Sequence, residues 1–368
     1  MKRRRFLHQS ATVLAAAGLP RLALPAAEAD SFRPSEGAWR SYTMTTTATV
    51  TASGTPVRIW IPVPSFYEAD WMRPGATTFQ SNATSAHIVT DPRWNTKMIY
   101  AEWGSVNGSA TVQATSIVSS RDLAVDLSRP GTPVALGSSD YRLYTAPTKL
   151  LPTGGIVGET ARKIVGSTTD ELEKAKLIYE WIVVNASRNP KTRGCGLGDV
   201  SFMLETGDLS GKCADINGLF VALARAAGLP ARDLYGIRVA PSRFGYKSLG
   251  TKSETITKAQ HCRAEVYLQR YGWVPADPAD VRKVMLEEPP GNLSLNAPKV
   301  AAARQALFGA WEGNYVAYND GHDIALPGSS GEDVGFLMYP QAEVRGERKD
   351  SLSPDDFVYS ITTADRGV

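Results

Sequence analysis

Cysteine is nearly absent from this 368-residue chain, with only Cys195, Cys213 and Cys262. Three cysteines make no dense disulfide scaffold, and no C-x-x-C pair marks a structural zinc site. Histidine is almost as scarce: of four, His8 lies in the first 29 residues, leaving His87, His261 and His322. Net charge is small as well. The formal value is +3, but Lys2, Arg3, Arg4, Arg5 and Arg21 against Glu28 put +4 into residues 1–29, which leaves the rest at −1. A nearly neutral body gives no electrostatic reason to expect nucleic acid or an anionic membrane as partner. No stretch approaches the ~20 apolar residues of a spanning helix, so no membrane span is expected once the leader is removed. Internal repeats are missing too. What is present, 43% hydrophobic and 21% charged residues, is the composition of an ordinary globular protein long enough for two domains.

The first 29 residues, MKRRRFLHQSATVLAAAGLPRLALPAAEA, have the layout of an export signal. A basic start precedes a short apolar stretch and a small-residue ending, Ala27-Glu28-Ala29. Arg3 and Arg4, followed by Phe6 and Leu7, fit the twin-arginine pattern that exports folded proteins. The expected location is therefore the periplasm or the outside of the cell. Disulfides are permitted there, although an odd count leaves one thiol unpaired.

Residues 30–150 read as β structure, a β-sandwich-like accessory domain. The turn Ala52-Ser53-Gly54-Thr55 and the dipeptide Asn107-Gly108 separate β-rich runs and suggest hairpins. His87 stands in a polar stretch and reads as a surface residue. A Pro/Gly-rich linker spans Ala146–Gly158, and residues 151–290 follow as an α+β core. There, Thr168 and Glu171 form a capping-box pattern ahead of a helix that carries Leu172, Ala175, Tyr179 and Ile182. Residues 291–368 are expected to form a C-terminal extension with β character that packs on the core. Trp311, Tyr315 and Tyr318 in it read as packing residues. The loop around His322 and Asp323 reads as a solvated turn, with lining of a cleft as the alternative.

The segment SGKCADINGLFVALARAAGLPAR, residues 210–232, carries the chemistry. Ile216, Leu219, Phe220, Leu223 and Ala227 recur at helical spacing, and Gly228 with Pro230 ends the helix. Cys213 thus sits in the first turn, where free N–H groups and the helix dipole favour an anion. The same groups can hold an oxyanion. A thiolate nucleophile needs a proton-transfer partner. His261 opens the strand pattern HCRAEVYL, which turns near Tyr271-Gly272 into YGWVPADP. Two antiparallel strands would bring His261 near Asp277, a carboxylate able to orient an imidazole.

These three blocks, GKCADINGLFVALARAAGLPAR, HCRAEVYL and GWVPADP, resemble the core of the transglutaminase-like superfamily across roughly residues 160–285. The resemblance implies a papain-like architecture and a Cys-His-Asp triad: Cys213 as nucleophile, His261 as general base and then acid, and Asp277 as orienting carboxylate. It implies a cofactor-free, metal-free enzyme acting on amide bonds of a peptide or protein. Hydrolysis is the expected outcome, with amine-accepting cross-linking as the alternative. Relatives complete the oxyanion hole with an upstream side chain, for which Trp181, Asn185 and Gln260 are candidates. Since successive strand residues face opposite ways, Cys262 should face away from the cleft if His261 faces it. A Cys195–Cys262 disulfide would then leave Cys213 free; two independent buried thiols are the alternative. A different class of reading is a non-catalytic binding protein, or a zinc site built from Cys195, Cys213, Cys262 and His261.

Overall fold

Two strands of 24 residues each, Arg40–Val63 and Lys97–Ser120, pair antiparallel from Arg40 opposite Ser120 to Val63 opposite Lys97. They form the backbone of an N-terminal sheet in the computed structural model, which describes residues 32–367. Every second residue from Tyr42 to Val50 is buried, the period-two signature of a strand with one face on a core. The expected hairpin turns are not turns. Ser53 lies opposite Asn107 and Ala52 opposite Gly108, and the ladder runs on through both. Gly54 and Gly108 do adopt positive φ, at 62° and 117°, and the Gly54 N–H donates to Asn107 Oδ1 at 2.9 Å. The same conformational freedom that closes a tight turn here makes a bulge, where the register shifts between Ser53 and Val57.

Beyond the bulge each half of this ribbon takes different neighbours. Met72–Ser81 and Val358–Gly367 flank one half; Ser85–Thr90 and Gln341–Val344 flank the other. Val50 and Val112 from the first half share one apolar cluster with Ile59 and Ile99 from the second, so the ribbon folds over its own core. The C-terminal region is therefore more than an extension packed on the core: Gln341–Val344 and Val358–Gly367 complete the N-terminal sheet, covering edges the ribbon would otherwise expose.

The second sheet is four-stranded and antiparallel, in the order Gly272–Ala276, Gln260–Leu268, Ala231–Arg238, Tyr315–Asn319. The C-terminal region supplies its last strand. Helix Cys213–Ala226 packs on this sheet and is buried on all sides from Cys213 to Arg225, burying more than the single stripe its apolar spacing indicated. Leu219, Phe220 and Leu223 are fully enclosed with Val266 and Val316, each such side chain contributing roughly 1.5–3 kcal/mol. Gly228, at φ 83°, ends the helix as expected. Helix Glu171–Asn185 starts later than its pattern suggested. Asp170 is the cap, accepting from the Glu173 N–H at 2.8 Å, while the Thr168 hydroxyl accepts from the Asp170 N–H at 3.4 Å. Trp311, Tyr315 and Tyr318 are fully buried packing residues.

The export signal expected at residues 1–29 lies outside the described residues. Among the described residues, no helix is long and apolar enough to cross a membrane.

Candidate active site

The start of helix Cys213–Ala226 is fixed by one carboxylate. Asp215 Oδ2 accepts the Lys212 N–H at 2.9 Å, and its Oδ1 accepts those of Leu197 and Gly198 at 3.0 and 2.9 Å. The Ala214 N–H donates to the Cys195 carbonyl at 2.9 Å, tying the 195–198 loop to the helix. This closeness explains two glycines. A Cβ at Gly196 would fall 1.8 Å from Asp215 Oδ2, and one at Gly211 would fall 2.5 Å from it. Cys213 sits in this rigid corner, 4% exposed, on the wall of an open cleft that His261 also lines.

His261 and Asp277 come from strand Gln260–Leu268 and the residue after Gly272–Ala276. Ala264 faces Ala276 in the ladder, so the two are offset along it, yet His261 Nε2 donates to Asp277 Oδ2 at 2.8 Å. Asp277 also caps helix Pro278–Glu287: its Oδ1 accepts the Asp280 N–H at 3.0 Å and the Asn217 amide at 2.9 Å. It is completely buried, with all of these donors aimed at it. Asp280 stands 3.5 Å from the same histidine nitrogen and takes both of its close contacts, 2.6 and 2.5 Å, from Arg238. Burial opposes a charge on His261. Asp280 and Asp277 outweigh it together with the repulsion of Arg238, so the imidazole pKa lies above its ordinary value.

Of the expected oxyanion side chains, Trp181 packs against the core, and Asn185 is exposed with its amide donating to the Trp181 carbonyl at 2.7 Å. Neither lines the cleft. Gln260 does, and its Nε2 is buried without a hydrogen-bond partner among the described residues.

The disulfide reading needs correction. Cys195, Cys213 and Cys262 are all free, all buried, and their sulfur atoms lie within 4.8 Å of one another. Cys262 does not line the cleft that Cys213 and His261 share, yet its sulfur lies with that of Cys213, so it meets the expected nucleophile from the buried side. The neighbouring sulfurs, Cys213 first and then Cys262, pull the Cys195 pKa well below an ordinary thiol's, and burial pushes that of Cys262 well above it. His261 groups with Asp277 and Asp280 and not with the thiols, so the four proposed zinc ligands do not form one set.

His322 is neither a solvated turn nor a cleft residue. It is 2% exposed, with Nδ1 3.3 Å from the Tyr235 hydroxyl and Nε2 3.6 Å from Asp233, and burial drives its pKa far down. His87 is exposed and packs edge-on to Tyr100. Sequence reasoning missed Asn217, Arg238 and Asp280. Asn217 had a usable signal, since four residues beyond Cys213 is the same helix face. Nothing in the spacing pointed to Arg238.

Residues 158–278 match the family model of the transglutaminase-like superfamily. An uncharacterized protein of Haemophilus influenzae is 34% identical over 320 residues, covering 83% of this chain and 85% of its own. This chain belongs to the transglutaminase-like superfamily. A candidate cysteine protease from Cytophaga hutchinsonii shares the fold at a TM-score of 0.55 and 14% identity, over 90% of this chain and 92% of that one. The match takes in the N-terminal sheet as well as the superfamily core. A lower score, 0.31 at 14% identity, relates 62% of the chain to 90% of the periplasmic domain of TgpA from Pseudomonas aeruginosa.

Proposed function

We propose that this superfamily member is an exported thiol enzyme that cleaves amide bonds of a peptide or protein. Cys213 acts as nucleophile, His261 as proton carrier and Asp277 as the group that orients it. The observation that carries this reading is the 2.8 Å hydrogen bond between His261 Nε2 and Asp277. With Nε2 occupied, Nδ1 is the nitrogen available to take the thiol proton. Cys213 Sγ attacks the carbonyl carbon and the carbonyl oxygen becomes an anion. The Cys213 N–H at the helix start and the unpartnered Gln260 Nε2 are the donors suited to hold it. Collapse expels the amine, which takes its proton from His261, and an acyl-enzyme remains. Water, deprotonated by His261, then releases the acid and restores the thiol.

Two features favour water over an amine acceptor. The cleft is open, and Lys212, Lys252, Lys258 and Lys283 line it. Such a wall repels the alkylammonium group that a cross-linking reaction would have to bring in. The test is iodoacetamide labelling of the folded chain at pH 6.5, read by peptide mass spectrometry, with His261→Ala alongside. Selective labelling of Cys213 that slows in the variant supports the reading. A thiol that labels only after unfolding sinks it.

A further inference from the structure

The charge around Cys213 is unlike that of the chain as a whole. Beyond residue 29 the protein is almost neutral, yet among the described residues the hollow of about 430 Å³ beside Cys213 and His261 is lined by six Lys and Arg residues and by no Asp or Glu. Two of the six are neutralised from behind, Arg188 by Glu287 and Arg238 by Asp280. The other four, Lys212, Lys252, Lys258 and Lys283, have no carboxylate oxygen within 4.0 Å among the described residues.

Lys283 is the informative one. It lies on helix Pro278–Glu287, half-buried, and burial together with the neighbouring Arg238 holds its pKa down to about 8. Asp280 and Glu287 act on it from beyond 4.0 Å, so its ammonium makes no direct ion pair and a bound anion would supply one. The loop opposite, with Lys252 and Lys258 exposed, closes the other side of the same hollow.

A second hollow, of about 350 Å³, adjoins the first and shares Cys195, Lys212, Lys258 and Gln260 with it. Its far wall is apolar and comes from the C-terminal region: Tyr339, Leu352, Pro354, Phe357 and Tyr359. The two hollows meet at Gln260 and Lys212, next to Cys213. A substrate amide held at Cys213 would therefore have a cationic hollow on one side and an aromatic one on the other.

We propose that the lysine-lined hollow is an anion subsite. The preferred substrate is then a peptide that carries a carboxylate on one side of the scissile amide and an apolar side chain on the other. This rests on the reading of Cys213 as nucleophile, which fixes where the amide lies. Unpaired cations that line a cleft focus potential onto it and raise the local concentration of anions, an effect of about tenfold or more on encounter rates that salt removes.

Two measurements separate the subsite from the nucleophile. In the first, Cys213 in the full chain is alkylated with iodoacetate, an anion, and with iodoacetamide, its neutral analogue. At 20 mM salt the iodoacetate-to-iodoacetamide rate ratio should exceed that of glutathione by about tenfold. The ratio should fall towards the glutathione value at 0.5 M salt and in the Lys252→Gln/Lys258→Gln variant. A ratio equal to that of glutathione at low salt overturns the subsite while leaving the nucleophile standing. In the second, Cys213→Ala protein is titrated calorimetrically with the peptides Glu-Glu-Leu-Phe and Lys-Lys-Leu-Phe. Binding of the acidic peptide at least fivefold tighter than the basic one, reduced by Lys283→Gln, supports the subsite whether or not the thiol reacts. Equal binding, or preference for the basic peptide, overturns it. Failure of Cys213 to react with either reagent counts against the nucleophile alone.

Discussion

Asn217, one turn beyond Cys213 on the same helix, donates its side-chain amide to both Asp277 Oδ1 and the Cys262 carbonyl, at 2.9 and 2.8 Å. Its own carbonyl accepts the Ala279 N–H at 3.1 Å. One fully buried amide thus locks the helix that carries Cys213 to the strand that carries His261 and to the helix cap that carries Asp277. Asn217→Ala removes three buried hydrogen bonds and takes their side-chain partner from the Cys262 carbonyl and the Ala279 N–H, so stability should drop by about 2 kcal/mol or more, since each unsatisfied buried group costs roughly 1–3 kcal/mol. Urea denaturation of both proteins measures this; a midpoint unchanged by the substitution would show that the lock is not energetic.

The raised pKa of His261 makes folding stability depend on pH in a defined direction. The folded state binds this proton more tightly than the unfolded chain, whose imidazole titrates near ~6.5. The stabilisation is therefore complete below that value and is lost as pH rises through the folded pKa. Relative to His261→Gln, the wild-type advantage in urea midpoint should be largest near pH 5.5 and should shrink steadily above neutrality. An advantage that grows with pH would mean that Arg238 and burial, not Asp280 and Asp277, control the imidazole.

The legible part of this site was the part written in local pattern. The helix start at Cys213, the glycine stop at Gly228 and the strand pair bearing His261 each follow from short-range rules, and the superfamily resemblance joins them. The long Arg40–Val63 and Lys97–Ser120 ribbon reads as two hairpins in sequence because Gly54 and Gly108 satisfy turns and bulges alike; only the pairing partner decides between them. Cys195 could not be placed for a related reason. It reaches Cys213 through the 195–198 loop, and what holds that loop is Asp215, a residue whose role shows only in three dimensions. The C-terminal strands that wall the cleft are joined to it by pairings more than 100 residues apart in sequence, beyond any periodicity.

Gln260 offers the sharpest catalytic test. If its Nε2 holds the oxyanion, Gln260→Ala should lower kcat on a peptide amide by about 10²-fold, the usual effect of one lost donor, with KM little changed. Trp181→Phe and Asn185→Ala, on a helix whose side chains do not line the cleft, should leave kcat within about twofold. The reverse pattern would return the oxyanion donor to the helix.

The three gathered thiols make the site sensitive to oxidants. Hydrogen peroxide converts one thiolate to a sulfenic acid, with hydroxide leaving; a neighbouring thiol then attacks that sulfur and expels water, leaving a disulfide. With all three sulfurs within 4.8 Å, the second step needs little chain movement, and it should outrun further oxidation to sulfinic acid. Treatment with a few equivalents of peroxide should lower the intact mass by 2 Da. It should also abolish iodoacetamide labelling of Cys213, with full recovery in dithiothreitol. Peptide mapping should find Cys213 joined to Cys195 or to Cys262. Cys195→Ser and Cys262→Ser, made separately, show which neighbour can serve as partner, and the variant that lacks every competent partner should accumulate the irreversible sulfinic form at Cys213. If the wild-type chain gains 32 Da instead and does not recover, the thiols are too constrained to exchange, and their proximity has no redox consequence.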